Sequence, residues 1–130
     1  MAEDTVDKAI QVAGLNAGPC HTKQLKIHGY LKKIDDSQLS VYGNDADCIR
    51  VLIKAEPELG KRLDDEQPYL GAEVVWAVRN EMARTVEDIL ARRLRILFLD
   101  ARAAMSLAPA VARIMAAELN YNLWLGKRRR

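Results

Sequence analysis

The sequence predicts an all-α fold, an irregular bundle of five or six short helices with a loop-rich segment near residues 14–44. Three observations carry that prediction. Aromatic residues make up only 5% of the 130-residue chain, so Ala, Leu, Val, Ile and Met supply the apolar mass, a mixture dominated by good helix formers. Apolar residues recur every three or four positions over most of the second half. Gly14, Gly18, Pro19 and Pro57 stand where helical runs stop.

The first element is expected over residues 1–13, with Val6, Ala9, Ile10 and Ala13 on one stripe and Glu3 and Asp4 near the start, where carboxylates suit the helix dipole. This helix opens on the first residue with nothing ahead of it to cap it. That predicts a piece of a larger protein, a C-terminal accessory domain comprising a lead-in helix (1–13), a connector (14–44), a helical core (45–119) and a basic tail (120–130). Gly14, Gly18 and Pro19 open the connector. Within it, Lys23 to Tyr30 alternate polar and apolar residues, which suits one short extended piece without a partner strand.

Asp45 reads as the N-cap of the next helix, with Asp47 in its first turn and Ile49, Leu52 and Ile53 on one face. Pro57 stops it near Ala55. Leu70, Val74, Val78 and Met82 then recur every four residues, widened by Val75 and Trp76. Thr85 reads as a fresh N-cap with Asp88 in the capping-box position, and Val86, Ile89 and Leu90 face inward, followed by Leu94, Leu97 and Leu99. A short helix over 101–105 and a final one capped by Ser106, with Pro109 in its first turn and Val111, Ile114, Met115 and Leu119 as its stripe, complete the set.

Charge narrows the function classes. Lys127, Arg128, Arg129 and Arg130 hold four of the 20 basic residues; the other 16 face 18 acidic ones, so the +2 chain has a body of net −2. Only the tail has the charge of a nucleic-acid binder. Cys20 and Cys48 are too few for a disulfide scaffold and are expected as free thiols. Met1 is followed by Glu3 and Asp4 rather than by a basic and apolar leader, and no apolar run nears the roughly 18 residues of a membrane span. A soluble, cytoplasmic domain is expected.

No catalytic, cofactor or metal site emerges. The seven glycines nowhere fall into Gly-x-Gly-x-x-Gly spacing, and neither Gly60-Lys61-Arg62 nor Gly126-Lys127-Arg128 ends as a P-loop does. Cys20, His21, His28 and Cys48 match no zinc spacing and read as two ordinary cysteines and two surface histidines in a loop. No serine or cysteine lies in a nucleophile-elbow context. The carboxylate pairs, Asp35-Asp36, Asp64-Asp65-Glu66 and Glu87-Asp88, are the usual material of caps and solvated loops. The run from Glu81 to Arg93 is different in density: Asp88 and Arg92 stand four apart and Glu81 and Arg84 nearly so, spacings that form ion pairs on a helix. Arg84, Glu87, Asp88, Arg92 and Arg93 are therefore the candidates for docking against another domain.

The stretch Glu73-Val74-Val75-Trp76-Ala77-Val78-Arg79-Asn80-Glu81-Met82-Ala83-Arg84-Thr85-Val86-Glu87-Asp88-Ile89-Leu90-Ala91-Arg92-Arg93 resembles the C-terminal domain of FAD-dependent glycerol-3-phosphate dehydrogenases. So does Leu97-Phe98-Leu99-Asp100-Ala101-Arg102-Ala103-Ala104. The likeness is marked from Glu73 to Leu119 and fair in the first helix and around Leu25 to Tyr30. It implies a parent enzyme that oxidises sn-glycerol 3-phosphate to dihydroxyacetone phosphate, passing a hydride to FAD and electrons on to quinone or oxygen. The flavin- and substrate-binding residues of that family map onto no position here, so the chain itself is expected to be non-catalytic and to hold no cofactor. Its implied partner is the flavin-binding domain of the same enzyme, with the membrane surface or quinone pool reached through the parent and homo-oligomers left open. The parent would be cytoplasmic or peripheral on the inner face of the cell membrane.

A second reading, from another class, is a free-standing helical module. Its Leu123-Trp124-Leu125 segment and basic tail would contact anionic lipid or nucleic acid. Charge runs at a chain end are more often simply solvated, which places this reading second.

Overall fold

The computed structural model describes residues 1–33 and 36–121. Asp35, the Leu123-Trp124-Leu125 segment and the Lys127–Arg130 tail lie outside the described residues. The structure divides into two compact units, Met1–Tyr30 and the residues from Leu31 on.

In the first unit α1 (Ala2–Ala13) starts with the Thr5 amide and hydroxyl both donating to the Met1 carbonyl oxygen, at 3.1 and 2.9 Å. It ends at Gly14, whose φ of +61° lets the Leu15 amide close back on Ile10 at 3.0 Å. The expected apolar stripe is not a core stripe: no residue of α1 is buried, and Val6 is 57% exposed. The alternating segment Lys23 to Tyr30 forms turns rather than an extended strand. Gln24 and Leu25 donate to the His21 carbonyl, Tyr30 donates to Ile27, and Lys26 lies 5.3 Å over the Tyr30 ring.

The second unit is built of helices, and among the described residues its extended pairing is a single antiparallel bridge, Arg62 to Leu70. A 3-10 helix, Gln38–Asp45, occupies the end of the segment expected as connector. It carries a kink at Gly43 (φ +55°, ψ −125°), a conformation open to glycine, and it buries Leu39. It runs directly into α2 (Ala46–Ala55), so Asp45 is already helical (φ −79°, ψ −13°) and makes no side-chain cap; the cap expected there is unnecessary. Pro57 ends α2 as predicted and opens a second 3-10 turn, Pro57–Gly60.

The helix α3 (Gly71–Asn80) is the wall between two apolar clusters. Ala72 belongs, with Leu39, Ala46 and Ile49, to a smaller cluster, while Val74, Ala77 and Val78 join the main core of Ile89, Leu90, Leu94, Ile96, Ala104, Leu107, Val111 and Met115. Helix α5 (Ala101–Glu118) closes that core with Ala104, Leu107, Val111 and Met115 on one face.

Four further expectations are corrected in the second half of the chain. Met82 does not continue the α3 stripe: the helix ends at Asn80, and Met82 turns left-handed (φ +58°) and is 79% exposed. The segment Asp88–Arg93 is a π-helix, whose wider turn shifts the side-chain phase, and Arg95 (φ +60°) then reverses the chain into α4 (Ile96–Leu99). Leu94 and Ile96 consequently take the core positions, while Leu97 and Leu99 are exposed. The two helices expected across 101–119 are one, α5, and Asp100 caps its start by accepting from the Arg102 and Ala103 amides at 2.9 and 3.0 Å. Ser106 is mid-helix instead of a cap. Its hydroxyl lies 2.9 Å from the Asp64 carboxylate and 3.0 Å from the Ala103 carbonyl, and Pro109 is held inside the helix.

Candidate docking site

The segment joining α3 to α4 positions the charged candidates. At its start Thr85 and Asp88 satisfy each other. The Asp88 amide donates to the Thr85 hydroxyl at 3.1 Å, and the Asp88 carboxylate accepts from the Thr85 and Arg84 amides at 2.9 and 3.0 Å. This is the capping box read from the sequence, closed with Asp in the place of Glu. The amide and hydroxyl hydrogen bonds, helped by nearby Arg92, hold the Asp88 carboxyl down at a pKa of about 2.

The fixed carboxylate then orients Arg92, which meets Asp88 at 2.7 Å and Glu87 at 3.1 Å. Arg93 turns the other way. It pairs with the Glu81 carboxylate at 3.1 Å and also donates to the Glu81 carbonyl oxygen. The Glu81–Arg84 pair expected from spacing is thus replaced by Glu81–Arg93, because the chain turns at Met82 before the π-helix begins.

Between these groups and the first 3-10 helix lies a shallow, open cleft of about 500 Å³, lined by Val41, Tyr42, Asn80, Glu81, Met82, Arg92 and Arg93. Two of the five sequence candidates, Arg92 and Arg93, line it; Glu87 and Asp88 stand behind Arg92, and Arg84 contributes its backbone amide to the cap.

Under the cleft is a polar contact missed in the sequence. Glu73 is 1% exposed in the first turn of α3. One carboxylate oxygen accepts from the Leu70 amide at 2.7 Å and the other from the Tyr42 hydroxyl at 3.1 Å. Burial raises the Glu73 pKa against these hydrogen bonds, which pull it down. Burial and the adjacent Glu73 charge together push the Tyr42 phenol far above its ordinary range. The signal available was a carboxylate at the third residue of the helix, inside an otherwise apolar run. Its burial makes it a structural tie rather than an acid or base open to a substrate.

The N-termini of α3 and α5, where a pyrophosphate would sit, are already satisfied by the carboxylates of Glu73 and Asp100. Among the described residues no three His, Cys, Asp or Glu side chains gather to hold a metal ion.

Comparison with known proteins decides the family. The model for the C-terminal domain of alpha-glycerophosphate oxidase matches residues 20–124. The chain belongs to that family. Among curated relatives of these C-terminal domains, mitochondrial glycerol-3-phosphate dehydrogenase of Mesocricetus auratus is 36% identical across 94% of this chain and 20% of its own length. The probable mitochondrial glycerol-3-phosphate dehydrogenase of Caenorhabditis elegans has the same figures, and the Saccharomyces cerevisiae enzyme is 28% identical across 94% of this chain and 25% of its own length. The chain therefore spans about a fifth of the length of the first of these relatives. No solved structure matches it.

Proposed function

We propose that this domain is the C-terminal part of an FAD-dependent glycerol-3-phosphate dehydrogenase. The parent oxidises sn-glycerol 3-phosphate to dihydroxyacetone phosphate and delivers electrons through FAD to quinone or oxygen. The observation that carries the reading is the 36% identity to glycerol-3-phosphate dehydrogenases over 94% of the chain. The domain supplies neither flavin ligands nor a reacting group. It packs its own two cores and docks on the flavin-binding domain through the segment bearing Arg84, Glu87, Asp88, Arg92 and Arg93.

Within that segment the residues divide by role. Asp88 is taken up by the cap, whereas Arg92 and Arg93, held by Glu87 and Glu81, line the cleft and form its charged edge toward a partner. Among the described residues no helix is long and apolar enough to cross a membrane. As part of the same proposal, and from the family resemblance rather than from that feature, we read the parent as a cytoplasmic enzyme that works peripherally at the inner face of the cell membrane, where quinone is available.

Titrating this chain into the separately expressed flavin-binding remainder tests the reading, with flavin absorbance, binding heat and glycerol-3-phosphate oxidation as readouts. Binding with restored oxidation is expected. Two pieces that ignore each other, while the chain binds liposomes or nucleic acid in a salt-dependent way, would sink it.

A further inference from the structure

The end of α3 carries a residue that its own fold does not favour. Helix α3 closes with the Glu81 and Ala83 amides both donating to the Ala77 carbonyl at 3.1 Å, and between them residue 82 is left-handed (φ +58°). Glycine takes that position without steric cost, and asparagine tolerates it; a methionine there is strained. Strain of this kind persists where the side chain is used. Within this chain Met82 is not used, since it is 79% exposed.

A second exposed apolar group faces the same space. Val41, also 79% exposed, lines the cleft with Met82, and the 3-10 helix that presents it is anchored beneath by Tyr42 and Glu73. Asn80 and Arg92 form the polar edge. An apolar pair with a polar rim is the anatomy of a protein interface, and methionine is suited to it because its flexible thioether adapts to a neighbour. Lipid is the poorer occupant. Glu81 and Glu87 sit on the cleft arginines at 3.1 Å and remove the positive charge that an anionic surface would need.

We infer that the Met82–Val41 cleft is the seat on which the flavin-bearing part of the enzyme places an apolar side chain, with Met82 as the anchor and Arg92 on the rim. This deepens the function proposed above and rests on it. The relatives are about five times as long as this chain, which covers 20% of them, so four fifths of such a polypeptide is there to be seated.

Methionine oxidation reads the contact directly, because susceptibility to peroxide follows exposure. This chain alone and the complete polypeptide that carries it are treated with hydrogen peroxide, and each sulfoxide is followed by mass spectrometry. Met115, 3% exposed, is the internal standard for a protected side chain. Met82 in the isolated chain should oxidise readily, and in the complete protein roughly tenfold or more slowly. Equal rates in the two settings overturn the inference. So does protection of Met82 in the isolated chain on raising its concentration, which would assign the cleft to a second copy. Protection by phosphatidylglycerol vesicles would assign it to lipid and overturns it as well. The variant Met82→Gly adds a second arm. It should raise the melting temperature of the isolated chain yet hasten proteolytic release of the domain from the complete protein; tightening in both settings overturns the proposal. Glycerol-3-phosphate oxidation by the complete protein is measured separately, so an inactive parent with a protected Met82 would fault the function and not the seat.

Discussion

The Tyr42 hydroxyl donates to the buried Glu73 carboxylate at 3.1 Å, fastening the 3-10 helix ahead of α2 to the first turn of α3. The same carboxylate holds the Leu70 amide at 2.7 Å, so one side chain both starts α3 and anchors the floor of the cleft.

Glu73→Ala should therefore cost about 1–3 kcal/mol, because it leaves a half-buried phenol and a helix-start amide without their acceptor. Glu73→Gln keeps the shape and an acceptor oxygen, and the Tyr42 hydroxyl accepts from the new amide. Urea unfolding at neutral pH should place Gln well above Ala. Equal loss in both would mean that the negative charge, rather than the hydrogen bonds, matters.

The two perturbed carboxyls make opposite predictions in pH. The Glu73 pKa is raised above its ordinary 4.5 by burial. The pH-dependent part of its contribution is thus fully present below the unfolded value and is lost as pH rises through the folded one, while the hydrogen bonds it accepts remain. Asp88 is lowered from 3.8 to about 2, so its contribution holds above 3.8 and is lost as pH falls through 2. Wild type compared with Glu73→Gln should lose relative stability on raising the pH from 4.5. Compared with Asp88→Asn it should lose its advantage between pH 4 and 2. Melting curves across that range check both signs. Parallel profiles for either pair would refute the corresponding assignment.

A tight approach gives a third prediction. A Cβ at Gly60 would stand 2.8 Å from Cγ2 of Ile53, a branched and stiff side chain. Gly60→Ala should cost about 1–3 kcal/mol through overpacking of the 3-10 turn on α2. In an Ile53→Ala background, where the opposing methyl is gone, the same change should be close to neutral. Additive losses would show that the strain lies elsewhere.

What could be read from the sequence follows from how local each cause is. Helices α2 and α3 and the Val111–Met115 stripe showed as periodicity, and the Thr85–Asp88 box showed as spacing, because each is decided within a turn or two. The segment Gln38–Asp45 did not, since a kinked 3-10 helix around Gly43 has no 3.6-residue pattern to display. Leu97 and Leu99 were placed inward because the π-helix and the left-handed Arg95 shift the phase between Leu90 and Ile96. Of the cleft, Arg92 and Arg93 stood out as dense charge. Val41 and Met82 did not, because exposure of an apolar residue depends on where distant elements end.

The Arg79–Glu118 pair shows the same dependence on tertiary structure and can be measured. The guanidinium meets the carboxylate through two hydrogen bonds, of 2.7 and 2.8 Å, joining the last turns of α3 and α5 across 39 residues. Arg92–Asp88, by contrast, spans one turn and forms wherever that turn forms. Arg79 is 44% exposed, so solvent screens its pair with Glu118, and the coupling in a double-mutant cycle to Ala should reach no more than about 1 kcal/mol. Its dependence on packing is the sharper prediction. Val111→Ala, which loosens α5 in the main core, should reduce the Arg79–Glu118 coupling while leaving that of Arg92–Asp88 unchanged. If both couplings persist in the loosened core, the pair merely decorates the α3–α5 contact; if only the long-range one falls, the pair reports on it.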